Sequence, residues 1–288
     1  MSEQIDLSSK NILITGGSMG LGYAAAEACL QANGRVVICA RNQSELDAAV
    51  NRLKAEGYQN IVGIPADVTK QNEVELALNQ VESQFGPLNA VIHAAGIYGP
   101  IGTITDVNPQ EWFKAIEINL FGTFLVLRQS CLYLKKNGGG RIALFSGGGA
   151  ASPFPNYTGY ACSKIGVVRL TETTAIEMTP HNIEINCIAP GFVITRLHQQ
   201  TLAAGKLAGD QFLETTKAQI EKGGVPASVG GSSAAFLISD QAKGITGKFV
   251  AAPYDGWKDW PEHLEELKST DIFTLRRIIP KERGMDWQ

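Results

Sequence analysis

The sequence is poor in the residue patterns that mark metal-binding and disulfide-stabilised proteins. Its four histidines are isolated, without the spacing of a ligand pair, so we expect no metal site. The five cysteines are scattered, odd in number and include no Cys-x-x-Cys pair. They are expected to be reduced and mostly buried thiols of a cytoplasmic protein: Cys29, Cys39, Cys131, Cys162 and Cys187.

An excess of charge and a long apolar run are missing as well. The 288 residues carry 25 Lys and Arg against 28 Asp and Glu, a formal net charge of -3, which gives no electrostatic reason to expect nucleic acid or a membrane surface as a partner. No apolar run approaches the roughly 18–20 residues of a membrane span. The start, Met-Ser-Glu-Gln-Ile-Asp, lacks the basic region and apolar core of a signal peptide, so no leader is expected.

What the chain does have is an alternation of short apolar runs and longer helical patterns. The short runs are apolar throughout, which is typical of strands buried on both faces of a sheet. The predicted strands are Asn11–Thr15, Arg35–Ala40, Ile61–Ile64, Leu88–His93, Arg141–Phe145, Ile183–Ile188 and Lys248–Val250. Helices are predicted at residues 20–33, 43–56, 70–85, 109–136, 158–178 and 226–239. This order predicts an α/β fold with a parallel, doubly wound sheet of about seven strands.

Residues 1–250 are predicted to form a single domain, since 44% of the chain is hydrophobic and can supply one large core. Residues 192–225 are long, polar and contain glycine, and are predicted to be a substrate lid. Residues 251–288 form an extension, with a helical pattern at Pro261–Lys268 and a strand-like pattern at Phe273–Ile279. Three tryptophans predict that it packs on the domain or on a neighbouring subunit: Trp257, Trp260 and Trp287.

A glycine-rich turn, Thr15-Gly-Gly-Ser-Met-Gly-Leu-Gly22, follows the first predicted strand. Such glycines let backbone amides approach a pyrophosphate, and the N-terminus of the next helix adds a favourable dipole. The second strand ends at Ala40-Arg41, where NAD sites carry an acidic residue. Ala40 cannot replace that residue, whereas Arg41 offers a bidentate donor to the 2′-phosphate of NADP. We therefore predict NADP(H); the alternative is that Arg41 is a solvated loop residue.

Tyr160 and Lys164 are four residues apart in a predicted helix, so their side chains lie on one face. An ammonium beside a phenol favours the phenolate, which predicts a Tyr160 pKa below the usual value of about 10. A tyrosine of this kind can pass a proton to or from a substrate oxygen. The alternative is an ordinary solvated helix face.

The motifs together resemble those of the short-chain dehydrogenase/reductase family over residues 8–250. In chain order they are Thr15-Gly-x-x-x-Gly-x-Gly22, Ala66-Asp67-Val68-Thr69, His93-Ala-Ala-Gly96, Asn119 in Glu-Ile-Asn-Leu, Tyr160-x-x-x-Lys164, and Pro190-Gly191 with Thr195. The resemblance implies a Rossmann-type fold, a small or medium-sized carbonyl/alcohol substrate, and a homodimer or homotetramer. It also implies a cofactor site formed by Gly16, Ser18, Met19, Gly20, Leu21, Gly22, Arg41, Asp67, Val68, Ala95, Gly96, Tyr160, Lys164, Pro190, Gly191, Val193 and Thr195.

The resemblance further implies catalytic roles. Tyr160 would be the general acid in reduction, Lys164 would hold the nicotinamide ribose, and Asn119 would anchor a water in a proton relay. His93 replaces the usual leading Asn of its motif, and a structural role is expected for it. Tyr157 is expected to line the pocket.

The serine that usually precedes the family's tyrosine by about thirteen residues is out of register, because that position is Gly147. We predict that Ser146 takes the serine's place. The alternatives are Ser152 and the backbone amides of residues 147–149, acting as an oxyanion contact.

The sequence thus predicts an NADP(H)-dependent oxidoreductase that interconverts a carbonyl and an alcohol. An alternative of another class is an NADP(H)-binding protein with little catalysis, acting as a redox sensor or an assembly subunit. A sugar-nucleotide epimerase or dehydratase is disfavoured, because it is expected to have the glycine spacing Gly-x-x-Gly-x-x-Gly.

Overall fold

The computed structural model describes residues 5–287, and seven parallel strands form one sheet within them. The order of the strands is β3-β2-β1-β4-β5-β6-β7, which confirms the predicted doubly wound, Rossmann-type sheet in a single domain. The strands are β1 Asn11–Thr15, β2 Arg35–Ala40, β3 Ile61–Pro65, β4 Ala90–His93, β5 Gly140–Phe145, β6 Ile183–Ala189 and β7 Phe249–Ala251.

Helices connect the strands and cover both faces of the sheet. The α-helices of the described residues are α1 Gly20–Gln31, α2 Gln43–Ala55, α3 Gln71–Phe85, α4 Pro109–Ile116, α5 Gly122–Lys136, α6 Thr158–Met178, α7 Arg196–Ala204, α8 Asp210–Glu221, α9 Ala227–Leu237 and α10 Leu264–Ser269. A short π-helix, Glu117–Phe121, joins α4 to α5, so the long helix predicted at 109–136 contains one wider turn.

Burial on both faces explains why the strands are apolar throughout. Every residue of β1 is buried. Ile12 and Ile14 pack into a core that includes residues of α1 and α9, whereas Leu13 points to the opposite core, which includes residues of α3, α5 and α6. Because successive side chains of a strand point to opposite faces, both sets must be apolar here.

The strand-like pattern at Phe273–Ile279 is not a strand, so this prediction is wrong. Phe273 has a positive φ of 57°, a conformation that an extended strand does not use. Its carbonyl accepts a hydrogen bond from the Phe249 amide at 2.8 Å. The segment therefore touches the end of the outer strand β7 without forming an eighth strand.

The C-terminal extension packs on the domain over its first half. Trp257 and Trp260 are buried in the core beside α9, and the Trp257 indole donates to the Ala252 carbonyl at 2.9 Å. Further along, the Leu275 amide donates to Glu172 on α6 at 2.6 Å. Trp287, near the end, is 65% exposed.

Residues 1–4 lie outside the described part of the chain, and so does most of the segment on which the absence of a leader was predicted. Between residues 5 and 287, none of the helices combines the length and the apolar composition that a bilayer crossing requires. All five cysteines are free thiols there, and Cys162 is the exposed one.

Candidate active site

A cavity of about 1180 Å³ opens at the carboxyl ends of the parallel strands. Its position follows from the topology, because β1 has β2 on one side and β4 on the other. The connections after β1 and β4 therefore run in opposite directions, which leaves a crevice between the two halves of the sheet. Every predicted cofactor residue lines this cavity: Gly16, Ser18, Met19, Gly20, Leu21, Gly22, Arg41, Asp67, Val68, Ala95, Gly96, Tyr160, Lys164, Pro190, Gly191, Val193 and Thr195.

The glycine-rich turn brings two chain segments into close contact at the base of the cavity. Gly16 has a φ of +66°, and a side chain on it would come within 2.8 Å of the Ala95 amide nitrogen. Helix α1 begins four residues later at Gly20 and directs its free N–H groups toward the cavity. The turn therefore has the open backbone and the helix dipole that a pyrophosphate needs.

Apart from Lys164, the charged residues that line the cavity lie at the end of it beside β2 and β3. Arg41 and Asp67 lie near each other there, and the Asp67 carboxylate accepts hydrogen bonds from the amide and hydroxyl of Thr69 at 3.0 and 2.8 Å. Burial raises the pKa of Asp67, but these hydrogen bonds and the charge of Arg41 outweigh it and hold the pKa below its usual value. Glu45 and Arg196 face each other at 3.6 Å in the same region.

Tyr160 and Lys164 lie one turn apart on α6, with the Lys164 Nζ 5.8 Å from the centre of the Tyr160 ring. Lys164 Nζ donates to the Phe145 carbonyl at 2.9 Å, and burial lowers the pKa of Lys164 to about 8. Burial also raises the pKa of Tyr160 above its usual value. The expected lowering by Lys164 is therefore wrong for the protein alone, because the loss of water around the phenol outweighs an ammonium that is not in direct contact with it.

Asn119 holds the loop after β4 against α6 and does not line the cavity. It lies in the π-helix, and its side chain accepts from the Ile97 amide and donates to the Ile97 carbonyl, both at 2.8 Å. Its amide also donates to Ser163 Oγ at 2.9 Å. A side chain on Gly96 would press on Asn119 Oδ1 and Lys164 Nζ, so Gly96, Asn119 and Lys164 converge on one point.

Ser146 lines the cavity, but its hydroxyl is engaged by the backbone. Its hydroxyl is buried and donates to the Lys164 carbonyl at 2.9 Å, so its only proton is used by the backbone of α6. Gly147 instead faces Tyr160, because a side chain on it would collide with the Tyr160 hydroxyl. The position thirteen residues before Tyr160 therefore has no side chain. Ser152 is exposed and does not line the cavity.

A family model described as short chain dehydrogenase matches residues 10–223, which is most of the chain. The chain belongs to the short-chain dehydrogenase/reductase family. Human dehydrogenase/reductase SDR family member 4 is 31% identical over 87% of this chain and 88% of its own length. Mouse L-fucose dehydrogenase is 30% identical over 83% of this chain and 85% of its own length.

Solved structures agree with this assignment. A short-chain type dehydrogenase/reductase from Mycobacterium ulcerans has a TM-score of 0.77 and 26% identity, and covers 96% of this chain and 100% of its own. An actinorhodin polyketide ketoreductase solved with NADPH has the same TM-score at 24% identity, over 86% of this chain and 97% of its own, which shows a shared fold. The protein is thus an oxidoreductase of a family that uses NAD(P).

His93, where this short-chain dehydrogenase departs from its family, is fully buried between two threonine hydroxyls. Its Nδ1 lies 2.7 Å from Thr15 Oγ1 and its Nε2 lies 2.9 Å from Thr123 Oγ1. Thr123 already donates its proton to the Asn119 carbonyl, so it must accept from His93 Nε2. Burial lowers the pKa of His93 to about 3, so the imidazole is neutral near pH 7 and its Nδ1 accepts from Thr15. This chain of hydrogen bonds supports a structural role for His93.

Replacing His93 with asparagine is expected to reduce the free energy of unfolding by about 1–3 kcal/mol at pH 7, because one buried threonine hydroxyl loses its partner. The folded-state pKa lies below the ordinary value of 6.5, so acidification protonates the unfolded chain first and stability falls between pH 6.5 and about 3. The variant should lose less stability than the parent over that range. Denaturant unfolding at several pH values measures both effects. If the free energy of unfolding fell equally with pH in the parent and the variant, the expected pH dependence would be contradicted.

The residues that sequence reasoning missed are the aromatic side chains at the substrate end of the cavity. They come from separate loops and helices: Tyr98, Phe154, Phe192, His198, Phe212 and Tyr254. Tyr157 is in the same cluster, but it is fully buried behind it and bonds Thr201 Oγ1 at 2.8 Å, so the expectation that it lines the pocket is wrong. Tyr98 follows the His93-Ala-Ala-Gly96 motif by two positions, and that spacing was the only local signal. Among residues 5–287 there is no cluster of three or more His, Cys, Asp or Glu suited to a metal ion.

Proposed function

We propose that the protein is an NADP(H)-dependent oxidoreductase that interconverts a carbonyl and an alcohol, with Tyr160 as the general acid and base. One observation carries this proposal. The Tyr160 hydroxyl has no hydrogen-bond partner in the described part of the chain and opens into the same cavity as the glycine-rich turn, one helical turn from Lys164. A hydroxyl that makes no hydrogen bond to the protein and opens into the cavity can exchange a proton with a bound substrate.

The glycine-rich turn, Arg41 and Lys164 would hold the cofactor, which would supply a hydride for the carbonyl carbon. Tyr160 gives the proton of its hydroxyl to the carbonyl oxygen, and an alcohol results. The raised pKa of Tyr160 keeps the phenol protonated near neutral pH, which suits the reductive direction. The Lys164 ammonium then stabilises the phenolate that remains. For Asn119 we propose a positioning role in the proton relay. Its backbone carbonyl accepts from the Thr123 hydroxyl and retains a second lone pair, which can accept from the water of that relay.

A panel of aldehydes and ketones, with NADPH consumption followed by absorbance, tests this proposal. Consumption that depends on the carbonyl and yields the alcohol is expected. The second candidate, a cofactor-binding protein with little catalysis, is favoured by the missing side chain at Gly147. NADPH binding without consumption above background for any member of the panel would support that candidate.

The preference for NADP(H) rests on Arg41 and on the absence of an acidic side chain at Ala40. Arg41 lines the adenosine end of the cavity. Replacing Arg41 with alanine is expected to raise the KM for NADPH by about 10–100-fold, the value of one charge-assisted hydrogen bond, and to leave the KM for NADH nearly unchanged. Steady-state kinetics with both cofactors measure this. An equal effect on the two cofactors, or a parent enzyme that prefers NADH, would contradict the role of Arg41.

For the substrate we propose an uncharged carbonyl compound of small or medium size. Apart from Lys164, the charged lining residues lie at the adenosine end: Arg41, Glu45, Asp67 and Arg196. His198 does not supply a charge near neutral pH, because burial lowers its pKa to about 4. The substrate end is thus aromatic and neutral, and offers no partner for a carboxylate or a phosphate.

We also propose that residues 192–225 act as the lid over the substrate end. Helices α7 and α8 lie in this segment and place His198 and Phe212 on the cavity wall. The segment is bounded by Gly191 with φ +77° and Gly223 with φ +86°, and such positions suit a hinge.

A homodimer or homotetramer is proposed from the outer faces of α5 and α6. Phe124 and Leu132 on α5 are 42% and 51% exposed, and Ile165 and Ile176 on α6 are 45% and 77% exposed. Ile165 and Ile176 are about three turns apart and lie nearly on one line along α6, whereas Phe124 and Leu132 lie within one broad stripe of α5. The extension from residue 251 packs on its own domain as far as Leu275, and contact of its later residues with a neighbouring subunit is part of this proposal. A cytoplasmic location is proposed because the five thiols are unpaired.

A further inference from the structure

The substrate oxygen needs a second hydrogen-bond donor besides Tyr160, and neither Ser146 nor position 147 offers a free side chain for this role. Ser146 donates its proton to the Lys164 carbonyl. Gly147 has no side chain, and a serine there would overlap the Tyr160 hydroxyl. A carbonyl oxygen that gains negative charge during hydride transfer then lacks a second side-chain donor at these two positions, and a single additional donor commonly changes the rate by about 10²–10³-fold.

Tyr98 carries a hydroxyl that the fold leaves free beside Tyr160. The two rings are perpendicular, at 89°, with their centres 4.8 Å apart. The side chain of Tyr98 is 4% exposed and lines the cavity. Its oxygen has no hydrogen-bond partner among residues 5–287, and it is not sealed inside the protein, so it opens into the cavity. A phenol oxygen that makes no hydrogen bond to the protein and opens into a cavity is free to bind a ligand there.

The surroundings of Tyr98 hold its ring in one orientation. Tyr157 and Phe154 pack against it edge to face at 5.0 and 6.4 Å, and His198 does the same at 6.2 Å. Burial and the nearby phenols of Tyr160 and Tyr157 raise the pKa of Tyr98. Tyr98 therefore keeps its proton near neutral pH and acts as a fixed donor, not as a second acid.

We propose that Tyr98 donates a hydrogen bond to the substrate's carbonyl oxygen, together with Tyr160, in the place that a serine holds elsewhere in the family. This inference rests on the proposed function. In the reductive direction the hydride forms the new C–H bond, the electron pair of the C=O bond moves to oxygen, and Tyr160 transfers its proton there. Tyr98 keeps its own O–H bond and stabilises the charge that develops on the oxygen. The enzyme thus uses two tyrosines where its relatives use a tyrosine and a serine.

The test compares Tyr98→Phe with Tyr157→Phe. Both substitutions remove one hydroxyl from the same aromatic cluster, but the Tyr157 hydroxyl bonds Thr201 and faces away from the cavity. Tyr98→Phe is expected to lower kcat by about 10²-fold, with KM for the carbonyl and Kd for NADPH within a few-fold of the parent. Tyr157→Phe is expected to keep kcat within a few-fold. Thermal unfolding of both variants checks that the cluster remains folded.

The outcomes separate this inference from the function on which it depends. A Tyr98→Phe enzyme that retains parental kcat, while Tyr160→Phe is inactive, would overturn the role of Tyr98 and leave the proposed function standing. Equal losses in Tyr98→Phe and Tyr157→Phe would also overturn it, because packing would then explain both. A parent protein that reduces no carbonyl would contradict the proposed function itself. In that case the affinity of Tyr98→Phe for a phenolic or alcohol ligand, measured in the presence of NADPH, is compared with the affinity of the parent. Unchanged ligand affinity there would count against Tyr98.

Discussion

Replacing Tyr160 with phenylalanine is expected to lower kcat by about 10³–10⁴-fold, near the upper end of what a general acid contributes. The substitution removes the proton that must reach the substrate oxygen and keeps the ring that packs against Tyr98. NADPH affinity, measured by fluorescence titration, should stay within a few-fold, because the glycine-rich turn and Arg41 are untouched. The measurement is the rate of carbonyl-dependent NADPH consumption.

Tyr133→Phe is the matched control for this experiment. The Tyr133 hydroxyl bonds Asn79 at 2.7 Å on the protein surface, away from the cavity, so its loss should leave turnover unchanged. Retained turnover in Tyr160→Phe would contradict the assignment of Tyr160 as the acid. It would also remove the main argument for catalysis over cofactor binding alone.

Replacing Lys164 with methionine is expected to lower kcat by about 10³-fold, within the range of acid–base catalysis. Methionine has a comparable shape but no charge, so the Tyr160 phenolate loses its nearest cation and the Phe145 carbonyl loses its donor. Lys248→Met is the matched control, because Lys248 is also buried but bonds the Thr270 and Ile272 carbonyls in the C-terminal extension. That variant should be less stable than the parent and fully active. Similar activity losses in the two variants would contradict a specific role for Lys164.

The Lys164→Met variant also has a pH signature in stability. Burial lowers the pKa of Lys164 to about 8, whereas the unfolded side chain titrates near 10.5. Between pH 8 and 10.5 the unfolded state binds more protons than the folded state, so Lys164 makes the free energy of unfolding rise with pH over this range. Below pH 8 the destabilisation caused by burying the Lys164 charge is fully present. The stability of the variant relative to the parent should therefore be highest below pH 8 and decrease above it. A difference that does not change with pH would show that Lys164 is not depressed in pKa.

Local sequence was sufficient for the sheet because each strand carries its own signal. The β1 run Asn-Ile-Leu-Ile-Thr is apolar on both faces, and only a central strand of a covered sheet buries both. The same reasoning failed for Phe273–Ile279, where the chain turns at Phe273 and the side chains of Ile278 and Ile279 are 56% and 37% exposed. A short apolar run does not by itself specify the burial of its side chains or the partner of its backbone.

The cofactor half of the site was also predictable, because its residues follow strand ends in short motifs. Gly16, Asp67 and Gly96 come one, two and three residues after the ends of β1, β3 and β4, and the carboxyl ends of parallel strands meet at one edge of the sheet. The substrate half was not predictable in this way. Tyr98, Phe154 and Phe212 are far apart in the chain and meet only because the loops fold over the cavity.

The sequence by itself determined the fold, the family and the presence of Tyr160 and Lys164 at helical spacing. The tertiary structure decided how the side chains point. At the end of β5, a shift of one residue turns a side chain to the opposite face, so Ser146 reaches the backbone of α6 while Gly147 faces Tyr160. Burial, which no local pattern measures, reversed the expected direction of the Tyr160 pKa. The tertiary structure also placed the Tyr98 ring beside the Tyr160 ring. No local pattern shows this contact, because the two residues are 62 positions apart in the chain.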